Sequence, residues 1–164
     1  MVLRSARSKT PTGILPLSRI RSAVIFVDAQ EADCDKCKDS ILEFFRNNGI
    51  AGDIFYLDMR DIDKDERLLT AAGSTLLKRD LNWYGKPSQA SISMMQARQP
   101  DLMVSLVPDG SFAIDYLCRS CEAKFKIGRS QDAYSTFDIV LDGASGCTQT
   151  ETFARIRAIL AKIR

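Results

Sequence analysis

The stretch Ala23-Val24-Ile25-Phe26-Val27-Asp28 decides the fold class. It is a continuous apolar run rich in β-branched and aromatic side chains, too short for a buried helix. Such a run reads as a strand covered on both faces, as in a parallel sheet. Downstream, Asp33 or Asp35 can cap a helix, and Cys37, Ile41, Phe44 and Phe45 recur at helical spacing. Gly49 supplies a C-terminal stop. A second strand follows over Ile54 to Met59, so strand, helix and strand fit within roughly 35 residues, the length of a βαβ unit.

The pattern continues less evenly. Leu68, Leu69 and Ala72 suggest a helical turn, Thr75-Leu76-Leu77 a short strand, and Trp83-Tyr84-Gly85-Lys86-Pro87 a loop with an aromatic anchor. Ser88 caps a helix to about Arg98 that ends before Pro100. Leu102 to Val107 is a third apolar run, and Pro108-Asp109-Gly110-Ser111 is a turn opening a helix through about Glu122. Phe125 and Ile127 alternate with Lys124 and Lys126, which predicts a strand with one wetter face. Phe137 to Leu141 is a further strand. Thr148 and Glu151 form a capping box for a last helix whose buried stripe is Phe153, Ile156, Leu160 and Ile163. Alternating strands and helices predict an α/β three-layer domain, Rossmann-like or flavodoxin-like, with a mostly parallel sheet of five or more strands. The runs 23–28 and 102–107 belong at its centre.

The 164 residues suit one domain, residues 22–164, preceded by a basic arm over residues 1–21. Residues 1–27 hold no acid but carry Arg4, Arg7, Lys9, Arg19 and Arg21. A transit peptide shares that look, yet no amphipathic Arg face is visible, and a solvated tail or arm is the first reading. The arm contains no continuous apolar signal core, and no run approaches the ~20 residues of a membrane helix. A net charge of +2 gives no nucleic-acid footprint. These features predict a cytoplasmic protein with neither membrane nor nucleic acid as partner.

The segment Asp80-Leu81-Asn82-Trp83-Tyr84-Gly85-Lys86-Pro87, then Asp101-Leu102-Met103, then Ala123-Lys124-Phe125-Lys126-Ile127-Gly128 resembles an uncharacterised Bacteroidota family of small proteins, a domain of unknown function. Ser22 to Phe26 is similar to that family's first strand. The resemblance implies no activity. Asp101 to Leu106 and Lys124 to Gly128 also resemble the N-terminal Rossmann-like half of heptosyltransferase-type glycosyltransferases. Those enzymes bind their sugar nucleotide with a second domain, so this likeness implies a fold and not an activity.

The composition excludes more chemistry than it suggests. There is no histidine, which removes Ser-His-Asp triads, Cys-His pairs, imidazole bases and His-ligated metals. The five cysteines are Cys34, Cys37, Cys118, Cys121 and Cys147, an odd count that favours reduced thiols. Cys34-Asp35-Lys36-Cys37 stands after the first strand at a helix start, where a thioredoxin-type site would lie. Its neighbouring carboxylates oppose a thiolate, and a reduced structural pair is the first expectation. Cys118 and Cys121 make a second pair, but more than 80 residues separate it from the first, against a usual zinc spacing of about 15–20. At i and i+3 on a helix the second pair reads as core. Asp58, Asp61, Asp63 and Asp65 imitate a calcium loop but have Glu66 and Ala72 where its Gly and Glu belong, leaving a solvated acidic loop. No cofactor and no metal is expected.

Two loops follow strand ends and open helices. Asp109, Gly110 and Ser111 stand in one, and Gly143, Ser145 and Gly146 in the other. Ligands of open α/β sheets bind at the carboxyl ends of the strands, and free N–H groups at helix starts favour anions there. Neither loop matches a dinucleotide or P-loop pattern. Lys86, Lys126 and Arg129 carry charge that would suit a phosphate. The first functional expectation is a non-catalytic binding or interaction domain, its partner an unknown protein or a small anionic ligand in that crevice. The alternative is an enzyme, either a thiol–disulfide protein using a CxxC pair or a transferase half that needs a partner chain.

Overall fold

The computed structural model describes residues 8–61, 74–108, 112–130, 135–141 and 146–164. A six-stranded, all-parallel sheet forms the middle layer. Its strands are β1 (Ser22–Asp28), β2 (Ala51–Asp58), β3 (Thr75–Leu77), β4 (Leu102–Ser105), β5 (Phe125–Gly128) and β6 (Ile139–Val140), in the spatial order β3-β2-β1-β4-β5-β6. That order is the Rossmann arrangement expected from the alternation of elements. Four α-helices among the described residues cover it: α1 (Cys34–Asn48), α2 (Gln89–Ala97), α3 (Phe112–Ser120) and α4 (Gln149–Lys162). None is long and apolar enough to cross a membrane.

β1 and β4 are the central pair, with Ile25 opposite Ile54 on one side and Val104 on the other. Their side chains alternate between two cores, which is why both strands read as unbroken apolar runs. Ala23, Ile25, Val27, Leu102 and Val104 meet α1 and α4. Val24, Phe26 and Met103 meet α2 and α3. In the first core the rings of Phe44 and Phe153 pack edge to face, 5.5 Å between centroids, tying α1 to α4.

The helix ends follow their sequence signals. Gly49 takes φ +62° and its N–H returns to the carbonyls of Arg46 and Phe45, closing α1. Ser88 accepts from Ser91 N–H at the start of α2. Thr148 and Glu151 complete the capping box of α4. Ile163, at the C-cap of α4, is partly buried and packs against the same core as Phe153, Ile156 and Leu160.

Four readings differ from the structure. Lys126 is 3% exposed, so β5 has no wet face. Its ammonium group donates 2.8 Å to the carbonyl of Cys118 and 3.5 Å to that of Arg119, covering the end of α3. A lysine can lie on a buried face when helix C-terminal carbonyls await it there. Asp58 is fully buried rather than part of a solvated loop, and Arg60 grips it with two 2.9 Å hydrogen bonds. That contact holds its carboxyl below the usual range. Asp61 is exposed, while Asp63 and Asp65 lie outside the described residues. β6 is two residues long rather than five, with Asp138 Oδ2 accepting the Lys126 N–H beside it. Finally, Trp83 is not an anchor within the chain, being 94% exposed. The helical turn expected around Leu68 lies outside the described residues.

The basic arm lies against the domain from Ser8 onward. Ser8 N–H reaches the Arg119 carbonyl and Gly13 N–H that of Lys124. Leu15 and Leu17 pack on the core, and Ile20 is fully buried.

Candidate functional site

β1 and β4 are adjacent, but the helices that follow them, α1 and α3, cover opposite faces of the sheet. Between their carboxyl ends lies the switch-point crevice where α/β folds hold ligands. Here side chains fill its floor. Arg129, directly after β5, sends Nη1 to the Leu106 carbonyl at 2.9 Å and to Glu31, and Nη2 to the Cys147 carbonyl at 2.6 Å. The fully buried Gln149 amide pairs with the backbone of Asp28, accepting at 3.1 Å and donating at 2.9 Å.

The same residues occupy the start of α4. Gln149 N–H donates to Glu31 at 3.2 Å, Thr150 N–H to Asp33 at 2.9 Å and Glu151 N–H to Thr148 Oγ1 at 3.2 Å. The chain's own carboxylates therefore stand where an anion would sit at this helix. Burial pushes the Asp33 carboxyl upward, but the Thr150 hydroxyl and N–H outweigh it and hold it below the usual range. Asp33 thus links the start of α1 to that of α4 instead of capping α1 with its side chain.

The second conspicuous feature is a locked turn between β3 and α2. The Asn82 side-chain oxygen accepts from Tyr84 N–H at 3.3 Å and Lys86 N–H at 2.8 Å. Asn82 N–H reaches the Lys86 carbonyl and Gly85 N–H returns to Asn82. Gly85 sits at φ +85°, which glycine adopts without penalty. Leu81 and Pro87 close the turn as an antiparallel bridge, and the Lys86 ammonium lies 5.4 Å above the Tyr116 ring. The rigid turn holds Trp83 out in solvent, its ring edge-on to Tyr84 at 5.0 Å.

A family model described as a family of unknown function, DUF6913, matches residues 3–155. The chain belongs to the DUF6913 family. No curated protein and no solved structure matches it.

Four of the five cysteines of this DUF6913 domain divide between the two cores. Cys34 and Cys37 face α4 on one side of the sheet, Cys118 and Cys121 lie in the core on the other, and the sheet separates the pairs. They cannot form one four-thiolate site. All four are buried and unpaired by disulfides. Burial, reinforced by the carboxylates of Asp35, Asp28 and Asp33, raises the Cys34 thiol to about 11. Burial first, then Asp33, raises Cys37 to about 12. Burial raises Cys121 to about 11 and Cys118 well above the usual thiol range. These are poor nucleophiles at neutral pH.

Of the residues expected to wall the crevice, Asp109, Gly110, Ser111, Gly143 and Ser145 lie outside the described residues of the DUF6913 domain. Gly146 is exposed at φ +86°, next to the Cys147 carbonyl that Arg129 holds. The three cations expected to serve a phosphate have separate partners: Lys86 the Tyr116 ring, Lys126 the end of α3, and Arg129 the crevice floor. Sequence reasoning missed Glu31 and Gln149, and read Asp33 only as a cap of α1. Only the helix-start position of Gln149, next to the capping Thr148, pointed toward the crevice.

Proposed function

We propose that this DUF6913 domain is a non-catalytic interaction module that engages a protein partner through the turn carrying Trp83. The observation behind this reading is a fully presented indole on a backbone that hydrogen bonds hold still. Trp and Tyr are the side chains most enriched at interface hot spots, and a rigid turn loses little conformational entropy on docking. An indole brings about 150–250 Å² of surface, so its burial is worth roughly 4–6 kcal/mol before ordering costs. The fitting partner offers an apolar cleft for the ring.

Other readings have less support. The raised thiols speak against disulfide exchange by either CxxC pair, and buried reduced thiols suit a reducing compartment such as the cytoplasm. An anion at the strand ends would have to displace Glu31 or Asp33 from α4. A transferase half would also need a partner chain, which the Trp83 turn does not identify.

The test is a photo-crosslinking residue at position 83 in the native host, with the same residue at exposed Arg155 as control. A discrete adduct at position 83, absent at 155, is expected. Once that partner is purified, Trp83→Ala should weaken its binding by about 30-fold or more, with folding intact. The same adducts at both positions, or an unweakened Trp83→Ala, would refute the proposal. Trp83 is the sole tryptophan, so a blue shift of its emission on titration reports burial directly.

A further inference from the structure

Remote from the Trp83 turn, a cavity of about 700 Å³ opens between the N-terminal arm, the end of α3 and the segment before β6. Its walls are unlike the cores. Lys9, Arg119 and Lys126 line it together with serine and threonine side chains from the arm and from Ser135 and Thr136. Among the described lining residues there is no carboxylate, no aromatic ring and no aliphatic side chain apart from Pro11.

Two described acids beside the cavity, Glu122 and Asp138, hold the arm in place. Glu122 accepts from Ser8 Oγ at 2.8 Å, Lys9 N–H at 3.2 Å, Thr10 N–H at 3.0 Å and the Thr10 hydroxyl. Asp138 accepts from Lys126 N–H and Thr12 Oγ1, each at 2.9 Å. Every oxygen of the two carboxylates thus accepts at least one bond from the protein. The carbonyls ending α3 are covered in turn, by Ser8 N–H and by the Lys126 ammonium. An ammonium carries three donors, and two of those on Lys126 are given to carbonyls. Ser135, beside the cavity, takes φ +51°, a conformation that costs an L-residue energy. Such costs are retained where a side chain must be placed.

We propose that this cavity is a binding site for a small phosphomonoester with a hydroxylated, sugar-like body. The cationic walls match a phosphate dianion, and the hydroxyl walls match a polyol. The volume falls in the range of small-molecule sites, about 300–1,000 Å³. A nucleotide fits less well, because a base stacks on aromatic or apolar faces that the described lining residues do not offer. The arm held on Glu122 supplies Ser8, Lys9, Thr10, Pro11 and Thr12 to the walls, so it is part of the binding element.

Calorimetry with a hexose 6-phosphate, the free hexose, inorganic phosphate and AMP tests this. The hexose phosphate should bind, with the free hexose, phosphate and AMP each weaker by on the order of tenfold or more. Lys9→Glu reverses an exposed charge at the rim and should weaken the hexose phosphate by on the order of tenfold without lowering the melting temperature. Ser135→Gly relieves the backbone while removing a hydroxyl, so it should melt no lower than wild type and still bind more weakly. Trp83→Ala should bind the hexose phosphate as wild type does, which keeps this site distinct from the docking turn. The proposal is overturned by no binding at millimolar hexose phosphate, by equal binding of the free hexose, by tighter binding of AMP, or by unchanged binding in both Lys9→Glu and Ser135→Gly.

Discussion

Arg129→Met tests whether the switch-point crevice is a structural joint. The side chain is 10% exposed and Glu31 is 22% exposed, so the pair is largely out of water. Methionine keeps much of the aliphatic volume but leaves Glu31 without its cation and the Leu106 and Cys147 carbonyls without a donor. Breaking a buried pair costs about 3–5 kcal/mol, and the remaining exposure places this one near the lower end, about 3 kcal/mol. For a domain this size each kcal/mol moves the melting temperature by about 2–4 °C, so a fall of roughly 6–12 °C is expected. Most of the loss is the stranded carboxylate. Adding Glu31→Gln should therefore return at least ~1 kcal/mol, since the amide still accepts from Gln149 N–H. Calorimetry on the four proteins of this cycle measures the coupling. A single Arg129→Met variant that melts within a degree of wild type, or a coupling below ~0.5 kcal/mol, would refute the reasoning.

Two other outcomes follow from the charge state of single groups. Burial opposes ionisation of Glu122, but the hydrogen bonds from Thr10, Ser8 and Lys9 outweigh it and hold the carboxyl at about 2 against an ordinary 4.5. A depressed folded-state pKa gives stability that is complete above the unfolded value and fades as pH falls from about 4.5 to 2. The shift corresponds to ~3 kcal/mol, and partial exposure reduces it to about 1–2. Glu122→Gln should melt below wild type at pH 7, with the gap narrowing as pH falls from about 4.5 towards 2, whereas a pH-independent gap would show that the arm is not held by this carboxylate. Among the thiols, Cys147 is the only one not buried, and should alkylate first. Cys34, raised from 9.0 to about 11, should react about 100-fold more slowly than an unshifted thiol, and mass spectrometry showing it labelled as fast as Cys147 would contradict its burial.

How much could be read in advance depended on whether the signal was local. The apolar run at 23–28, the Gly49 stop and the Thr148–Glu151 box each act within one turn or strand, and each formed as its residues dictate. Lys126 was misread because alternation reports polarity, while its burial depends on where α3 ends. Trp83 was misread because an aromatic in a loop looks the same whether it points in or out. The crevice floor was hidden for a related reason. Arg129 and Glu31 meet across 98 residues, and Asp33 and Thr150 across 117, with no periodicity connecting them. The arm cavity likewise joins Ser8 and Thr10 to Glu122 from the far end of the sequence. A basic segment without acids gave only its charge, and not the carboxylate that would receive it.

The central seam of the sheet also sets the order in which the molecule can be made. β1 pairs with β2 within one βαβ unit, but its other neighbour, β4, begins only at Leu102. At about 5–20 residues per second, a ribosome needs on the order of 4–15 s after Asp28 to deliver that strand. Until then one edge of β1 has open N–H and C=O groups, and Val24 and Phe26 lack Met103 in their core. A nascent chain paused in the segment between β2 and β4 is thus the form most exposed to mispairing and to chaperones. Slowing translation there should cost yield, while pauses after β5 ends at Gly128 should be tolerated.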